Sequence, residues 1–175
     1  MSSPAIARIA AAAAPAAREV RLPTYLGGVL FALYLLYHLA PFHWPQLEDW
    51  QTEESFRRWS GLALLLYLTV QWWLTLARIT PRLGRTRAPL LKVHRWVGAL
   101  TPLAFLAHSS SLGYGYLGVL SVTFLANFLL GLLNVRTLKA GHPRLYVAWY
   151  VVHAGASVLI TALALLHVWV VFYYK

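Results

Sequence analysis

Five long apolar stretches, separated by short polar connections, dominate the pattern of this 175-residue chain. Each stretch has roughly the 20 residues that an α-helix needs to cross a hydrocarbon core of about 30 Å. The predicted spans are residues 23–42, 59–79, 89–109, 116–135 and 146–173. The connections between them are too short to form a soluble domain. The pattern therefore predicts an all-α integral membrane protein, a five-transmembrane-helix bundle that occupies residues 23–175.

Residues 1–22 precede the first span as an alanine-rich leader. Ala14-Pro15-Ala16 loosely resembles a signal-peptide cleavage site, but the apolar stretch before it is weak. We expect the leader to be retained in the cytoplasm, with a helix on the membrane surface as one candidate form.

The distribution of charge predicts how the bundle is oriented in the membrane. The chain is 59% hydrophobic and 11% charged, with a net charge of +10. Basic residues cluster in the leader and in the second and fourth connections, whereas the first connection holds four of the five acids and the third holds no charge. By the positive-inside rule the N-terminus is cytoplasmic and the C-terminus periplasmic, as in a bacterial inner membrane. The basic excess thus marks contact with a lipid bilayer and not with nucleic acid. The clustered basic residues are Arg8, Arg18, Arg21, Arg78, Arg82, Arg85, Arg87, Lys92, Arg136, Lys139 and Arg144.

Four histidines carry the candidate chemistry. His94 and His108 are 14 residues apart in the third span, and His153 and His167 are 14 residues apart in the fifth. Fourteen helical steps of about 100° end only about 40° short of four full turns, so both rings of a pair leave one face, about 21 Å apart. The third and fifth spans are expected to run in the same direction. His94 is then expected to face His153 on the cytoplasmic side, and His108 to face His167 on the periplasmic side.

The two facing pairs, His94 with His153 and His108 with His167, predict two b-type haems with bis-histidine ligation, enclosed by the bundle. All four histidines are the predicted iron ligands, and six-coordinate iron suits electron transfer. The chain has no cysteine, which excludes covalent attachment of a c-type haem.

Small and cationic neighbours extend the predicted haem site. Gly98 lies one turn after His94, and Ser157 one turn after His153, where a small side chain leaves room for a macrocycle. Arg95 and Lys92 lie at the cytoplasmic edge, where they are candidate partners for haem propionates or, equally, membrane anchors. His38 and His43 flank the periplasmic end of the first span and could border the outer haem or a quinone pocket.

A glycine-rich run resembles a dinucleotide-binding motif but lacks its structural context. Residues 113–118 match G-x-G-x-x-G, but they lie between two predicted spans, with no preceding strand and no acid downstream. We predict a tight turn there.

The run His94-Arg95-Trp96-x-Gly98, the two His-x13-His helices and their place as third and fifth spans resemble the ferric-reductase-like transmembrane domain. That group includes ferric reductases, NADPH oxidases and the haem-binding membrane partner of a bacterial methionine sulfoxide reductase. The resemblance covers residues 23–173 and implies two b-haems on the four histidines. The ligand spacing is also similar to that of the cytochrome b of quinol–cytochrome c oxidoreductases. The chain departs from the first group in its predicted number of spans, five and not six, and in having no predicted flavin- or nicotinamide-binding domain.

The sequence therefore predicts transmembrane electron transfer by a membrane subunit of a larger, hetero-oligomeric oxidoreductase complex. A quinone or a partner redox subunit would exchange electrons with it, and quinone is a second candidate cofactor. One alternative is the membrane component of a ferric or small-molecule reductase that is fed by a separate flavoprotein. A metal or proton transporter that uses the histidines is an alternative of another class, although transporters usually need acids within the spans, where this chain has none.

Overall fold

A computed structural model describes residues 4–40, 43–133 and 141–174, with side chains described from Leu22 onward. All regular secondary structure in these ranges is helical, as the apolar pattern predicts. The helices, in chain order, are α1 (Pro4–Leu39), α2 (Pro45–Thr52), α3 (Glu54–Ile79), a 3₁₀ helix (Pro81–Thr86), α4 (Arg87–Ala99), α5 (Thr101–His108), α6 (Tyr116–Leu132) and α7 (Pro143–Tyr173).

Three helical segments are long and apolar enough to cross a membrane. They are Leu22–Leu39 within α1, all of α3 and all of α7. Many of their exposed side chains are large and apolar, as expected of helices that lie in hydrocarbon and not in water. The structure thus supports an integral membrane protein. The shorter apolar helix α6 has 17 residues, about 25 Å of helix.

The third predicted span is divided into two helices. α4 ends at Ala99, Leu100 forms the junction, and α5 begins at Thr101. Pro102 explains the break, because proline offers no backbone N–H and its ring crowds the carbonyl four residues earlier. At the junction the Leu100 N–H donates to the carbonyl of Val97, a tighter 3₁₀-like turn. The sequence predicts a bend at this proline; the structure has a break two residues before it.

α1 is one continuous helix from Pro4 to Leu39. It has no interruption near residue 22, where the sequence predicts a boundary between leader and first span. The predicted ends of the first and fourth spans, Phe42 and Val135, lie outside the described residues, as do Arg136 and Lys139.

The core lies where α1, α5, α6 and α7 meet. It contains the buried side chains of Tyr34, Phe105, Phe124 and Ile160. Ile160 is midway between His153 and His167 along α7, so the apolar core separates the two histidine levels.

The two ends of the bundle differ in charge. We call the end that carries Glu48, Asp49, Glu53 and Glu54 the acidic end, and the end that carries Arg78, Arg82, Arg85 and Arg87 the basic end. At the acidic end, α2 is tied to α5 by Gln51, whose side-chain nitrogen donates to the Leu106 carbonyl at 2.6 Å. Its side-chain oxygen accepts from the Ser110 backbone N–H at 3.1 Å.

The G-x-G-x-x-G run forms a turn into α6. Gly113 and Gly115 have φ angles of 72° and 58°, a conformation that glycine adopts without strain. The predicted tight turn is thereby confirmed.

Candidate functional site

The structure brings the four histidines together in two pairs. The ring centroids of His94 and His153 are 6.3 Å apart, with the ring planes at 83°. Those of His108 and His167 are also 6.3 Å apart, with the planes at 66°. All four side chains are half-buried. These are the pairs that parallel third and fifth spans predict, and the break at Leu100 does not disturb them.

The separation within each pair suits an ion held between two imidazoles. Two histidine–metal bonds of about 2 Å, with each ring centre roughly 1.2 Å behind its nitrogen, place the centroids about 6.4 Å apart. Aromatic rings in direct contact have centroids about 4.5–7 Å apart, so the observed distance also occurs between rings that share no metal. The separation is therefore required for a shared metal but is not specific to one. The side chains around the rings supply further evidence.

A cavity of about 560 Å³ adjoins the pair at the acidic end, and we call it the acidic-end cavity. This volume is in the range of about 300–1,000 Å³ that pockets for small molecules and cofactors have. Its walls come from α3, α5, α6 and α7, and are mainly leucine and phenylalanine side chains on either side of His108 and His167. Such walls accommodate a largely apolar ligand. Gly61 lies at the ring of His108, and a Cβ there would come within 3.1 Å of Cε1.

α3 supplies a polar partner to each histidine of the α4–α5 segment. Ser60 Oγ lies 3.0 Å from Nδ1 of His108. The side-chain amide of Gln71 approaches Nδ1 of His94 to 2.6 Å and the backbone nitrogen of Gly98 to 2.9 Å. Ser60 and Gln71 are 11 residues apart, only about 20° more than three full helical turns, so one face of α3 carries both.

This arrangement matches the usual surroundings of metal-bound histidine. Ligating imidazoles donate their second N–H to a nearby acceptor, which fixes the tautomer and the ring orientation. The Ser60 hydroxyl can accept from Nδ1 of His108 and donate to the Arg57 carbonyl at 3.3 Å. In the orientation that satisfies its contacts, the Gln71 amide nitrogen donates to Nδ1 of His94 and its oxygen accepts from the Gly98 N–H, so ligation through Nε2 of His94 requires the amide to turn its oxygen to the ring.

The two histidines of α7 have a different environment. Nδ1 of His153 and Nδ1 of His167 are both buried, and neither has a hydrogen-bond partner in the part of the chain that the structure describes. The ring of Trp149 stacks on His153 at 5.3 Å with nearly parallel planes, and Tyr116 packs against His167 at 6.4 Å. Aromatic packing therefore helps to orient the α7 rings.

The other predicted site residues occupy varied positions. Gly98 lies beside Gln71, as described above, and Arg95 is half-buried next to His94 in α4. The Ser157 hydroxyl donates to the His153 carbonyl at 2.8 Å and accepts from the amide of Asn127 at 3.0 Å. Ser157 thus ties α7 to α6. Roles of these three residues in cofactor binding stay predictions.

His38 and His43 make contacts at the acidic end outside the two pairs. The ring nitrogens of His38 lie 3.0 Å from the Tyr34 carbonyl and 2.8 Å from the Ser110 carbonyl. His43 Nδ1 lies 2.9 Å from the Glu48 carboxylate. His38 thus ties α1 to the loop after α5, and His43 contacts α2; a quinone pocket at these residues stays a prediction.

Sequence reasoning missed the contributions of α3, namely Ser60, Gly61 and Gln71. A signal was available, since polar and small side chains within an apolar span are costly unless they serve a partner. Their distance from the histidines in the chain hid that partner.

Comparison of the chain with protein-family models, with curated proteins and with solved structures finds no match. Among the described residues, no group of three or more histidine, cysteine or acidic side chains comes together as a metal cluster. The histidine pairs are the arrangement with metal-binding chemistry that the structure offers.

Proposed function

We propose that the chain binds two b-type haems, one at each histidine pair, and transfers electrons across the membrane as a subunit of a redox complex. In this proposal His94 and His153 hold the haem at the basic end, and His108 and His167 the haem at the acidic end. The main support for the proposal is that the same arrangement of two facing histidines occurs twice. Two pairs at the same 6.3 Å separation lie at two levels of one bundle.

The donor set suits haem better than a bare ion. A zinc site normally takes about four protein ligands in its structural form, or three and a water. Porphyrin itself supplies four nitrogens, so two histidines are enough to complete six-coordinate iron. When bound, such a haem exchanges single electrons and offers no open position for a substrate.

The protein's own residues would hold and orient each ring. Ser60 can accept the Nδ1 proton of His108, and Gln71 would do the same for His94 once its amide oxygen turns to the ring, which leaves Nε2 of each ring free to ligate. Trp149 and Tyr116 fix the α7 rings by packing. The leucine and phenylalanine side chains of the acidic-end cavity would surround the haem held by His108 and His167.

The direct test is the visible spectrum and haem content of the purified protein. We expect two low-spin haems per chain, both extractable by acid–acetone, because no cysteine can attach them. His108→Ala and His167→Ala should remove the same haem, and His94→Ala and His153→Ala the other. His38→Ala is the matched control and should retain both, since its ring bonds backbone carbonyls outside the pairs. A colourless protein would overturn the proposal. So would a His94→Ala/His167→Ala double variant that loses only one haem, because these two histidines belong to different proposed haems and the variant should lose both.

A second experiment tests the need for a redox partner. Hydride from a nicotinamide must be split into single electrons by a flavin or an equivalent before haem can accept it. We therefore expect NADH or NADPH alone to leave the haems oxidised, whereas a quinol analogue or an added flavoprotein reduces them. Rapid reduction by nicotinamide alone would contradict the role of an electron-transfer subunit.

A further inference from the structure

The acidic-end cavity has a charged rim on an otherwise apolar lining. Arg57, Arg58 and Glu54, all on the first turns of α3, line it together with His108 and His167. Two cations and one anion leave the rim with a positive excess. A ligand that fits this cavity has an apolar body and an acidic edge.

Arg58 is held in place at this rim by two contacts. Its guanidinium forms a salt bridge with Glu54, one helical turn earlier. It also lies over the ring of Phe172 of α7, 5.4 Å from the ring centroid, in a cation–π arrangement. Phe172 lines the same cavity, so the arginine is fixed against the cavity wall and not extended into the surroundings.

The arginine still has an unused donor. The side chain of Arg58 is 25% exposed, and its Nε is buried without a hydrogen-bond partner among the described residues. A buried donor of a charged group is costly to leave unpaired. Guanidinium groups present several N–H donors in a plane and bind carboxylates through two of them at once.

We propose that Arg58 is a carboxylate-binding residue of the acidic-end cavity, with Arg57 adding positive charge. The inference rests on the proposed function, on which the carboxylate is a propionate of the haem between His108 and His167. Sequence reasoning places propionate partners at Arg95 and Lys92, beside the other haem. Glu54 occupies part of the guanidinium in the structure and so competes with the ligand for it.

The test compares haem with its dimethyl ester, in which both propionates are uncharged. The measurements use a His94→Ala background, in which the acidic end holds the one remaining haem, and an excess of haem-scavenging apomyoglobin withdraws that haem from the purified protein. The stripped protein is reloaded with iron protoporphyrin IX or with the dimethyl ester, and the affinity of each is measured by absorbance. We expect the protein with Arg58 intact to bind the free acid roughly tenfold more tightly than the ester, an affinity ratio that one charge-assisted hydrogen bond can supply.

Three variants separate this role from a structural one. Arg58→Gln should lose most of the preference, whereas Arg58→Lys should keep part of it, because lysine retains the charge but not the planar fork. Glu54→Gln should strengthen the preference by freeing the guanidinium. Arg85→Gln, at an exposed site on the basic end, is the matched control and should leave the preference unchanged.

The outcomes distinguish this inference from the proposed function. A general loss of stability in Arg58→Gln would weaken both ligands equally and leave their ratio intact. An unchanged ratio in Arg58→Gln, or a weaker preference in Glu54→Gln, would overturn the inference while leaving two bound haems in place. Failure of the wild-type protein to bind any haem would instead overturn the proposed function.

Discussion

Ser60 Oγ lies 3.0 Å from Nδ1 of His108, although the two residues are 48 positions apart in the chain. The contact joins α3 to the C-terminal end of α5 at the acidic end of the bundle. The same face of α3 carries Gln71 to His94 at the basic end. One helix that holds no predicted iron ligand therefore orients two of the four.

On the proposed two-haem function, replacement of Ser60 by alanine should raise the midpoint potential of the haem at the acidic end alone. Loss of the acceptor for Nδ1–H makes the imidazole a weaker base, which stabilises ferric iron less. The measurement is a redox titration monitored in the visible spectrum. Thr69→Ala is the control, because Thr69 is exposed and its hydroxyl bonds only the Leu65 carbonyl of its own helix. Equal shifts in both haems would contradict the assignment of Ser60 to His108.

Two substitutions at Gln71 should move the other haem in opposite directions. Gln71→Leu removes the polar partner of His94 and should raise the potential of the haem at the basic end. Gln71→Glu presents a stronger acceptor to Nδ1–H and should lower it. The same titration checks both variants, and shifts of the same sign would show that Gln71 acts through packing and not through the hydrogen bond.

Gln51→Leu should destabilise the acidic end. The variant loses the bond to the Leu106 carbonyl and leaves the Ser110 N–H without its acceptor. Loss of such partly buried bonds costs about 1–3 kcal/mol. Thermal unfolding in detergent measures the cost, and Gln46→Leu on the exposed face of α2 is the control. Because α5 carries His108, the haem at the acidic end should dissociate first; earlier loss of the other haem would contradict this account.

Gly27→Ala should destabilise the whole bundle, whereas Gly28→Ala should not. A Cβ at Gly27 would lie 2.9 Å from the Leu132 side chain and 3.3 Å from the Ala99 backbone, so α1 would be pushed away from α4 and α6. At Gly28 nothing lies within 4 Å of the added atom. Overpacking of this kind costs about 1–3 kcal/mol. Unfolding of the two variants under identical conditions measures the difference, and equal stability would show that α1 does not pack as described.

The helical, membrane-embedded class of the protein and the two 14-residue histidine spacings can be read from the sequence. Both follow from properties that are local in the chain. Apolar length is a property of consecutive residues. The 14 residues between His153 and His167 place both rings near one face of the continuous helix α7, whereas His94 and His108 meet them across the break at Leu100.

The residues that surround the paired rings depend on how the helices pack, which the sequence does not reveal. The contacts of Ser60, Gln71 and Arg58 depend on how α3 is rotated about its axis and how far it is shifted along α5 and α7. No periodicity within α3 encodes that rotation, because helices packed in lipid choose their contact faces through mutual packing and hydrogen bonds. The break at Leu100 is a mixed case: Pro102 predicts a disturbance, but the packing of α4 and α5 around Ala99 and Phe105 set where the chain turns.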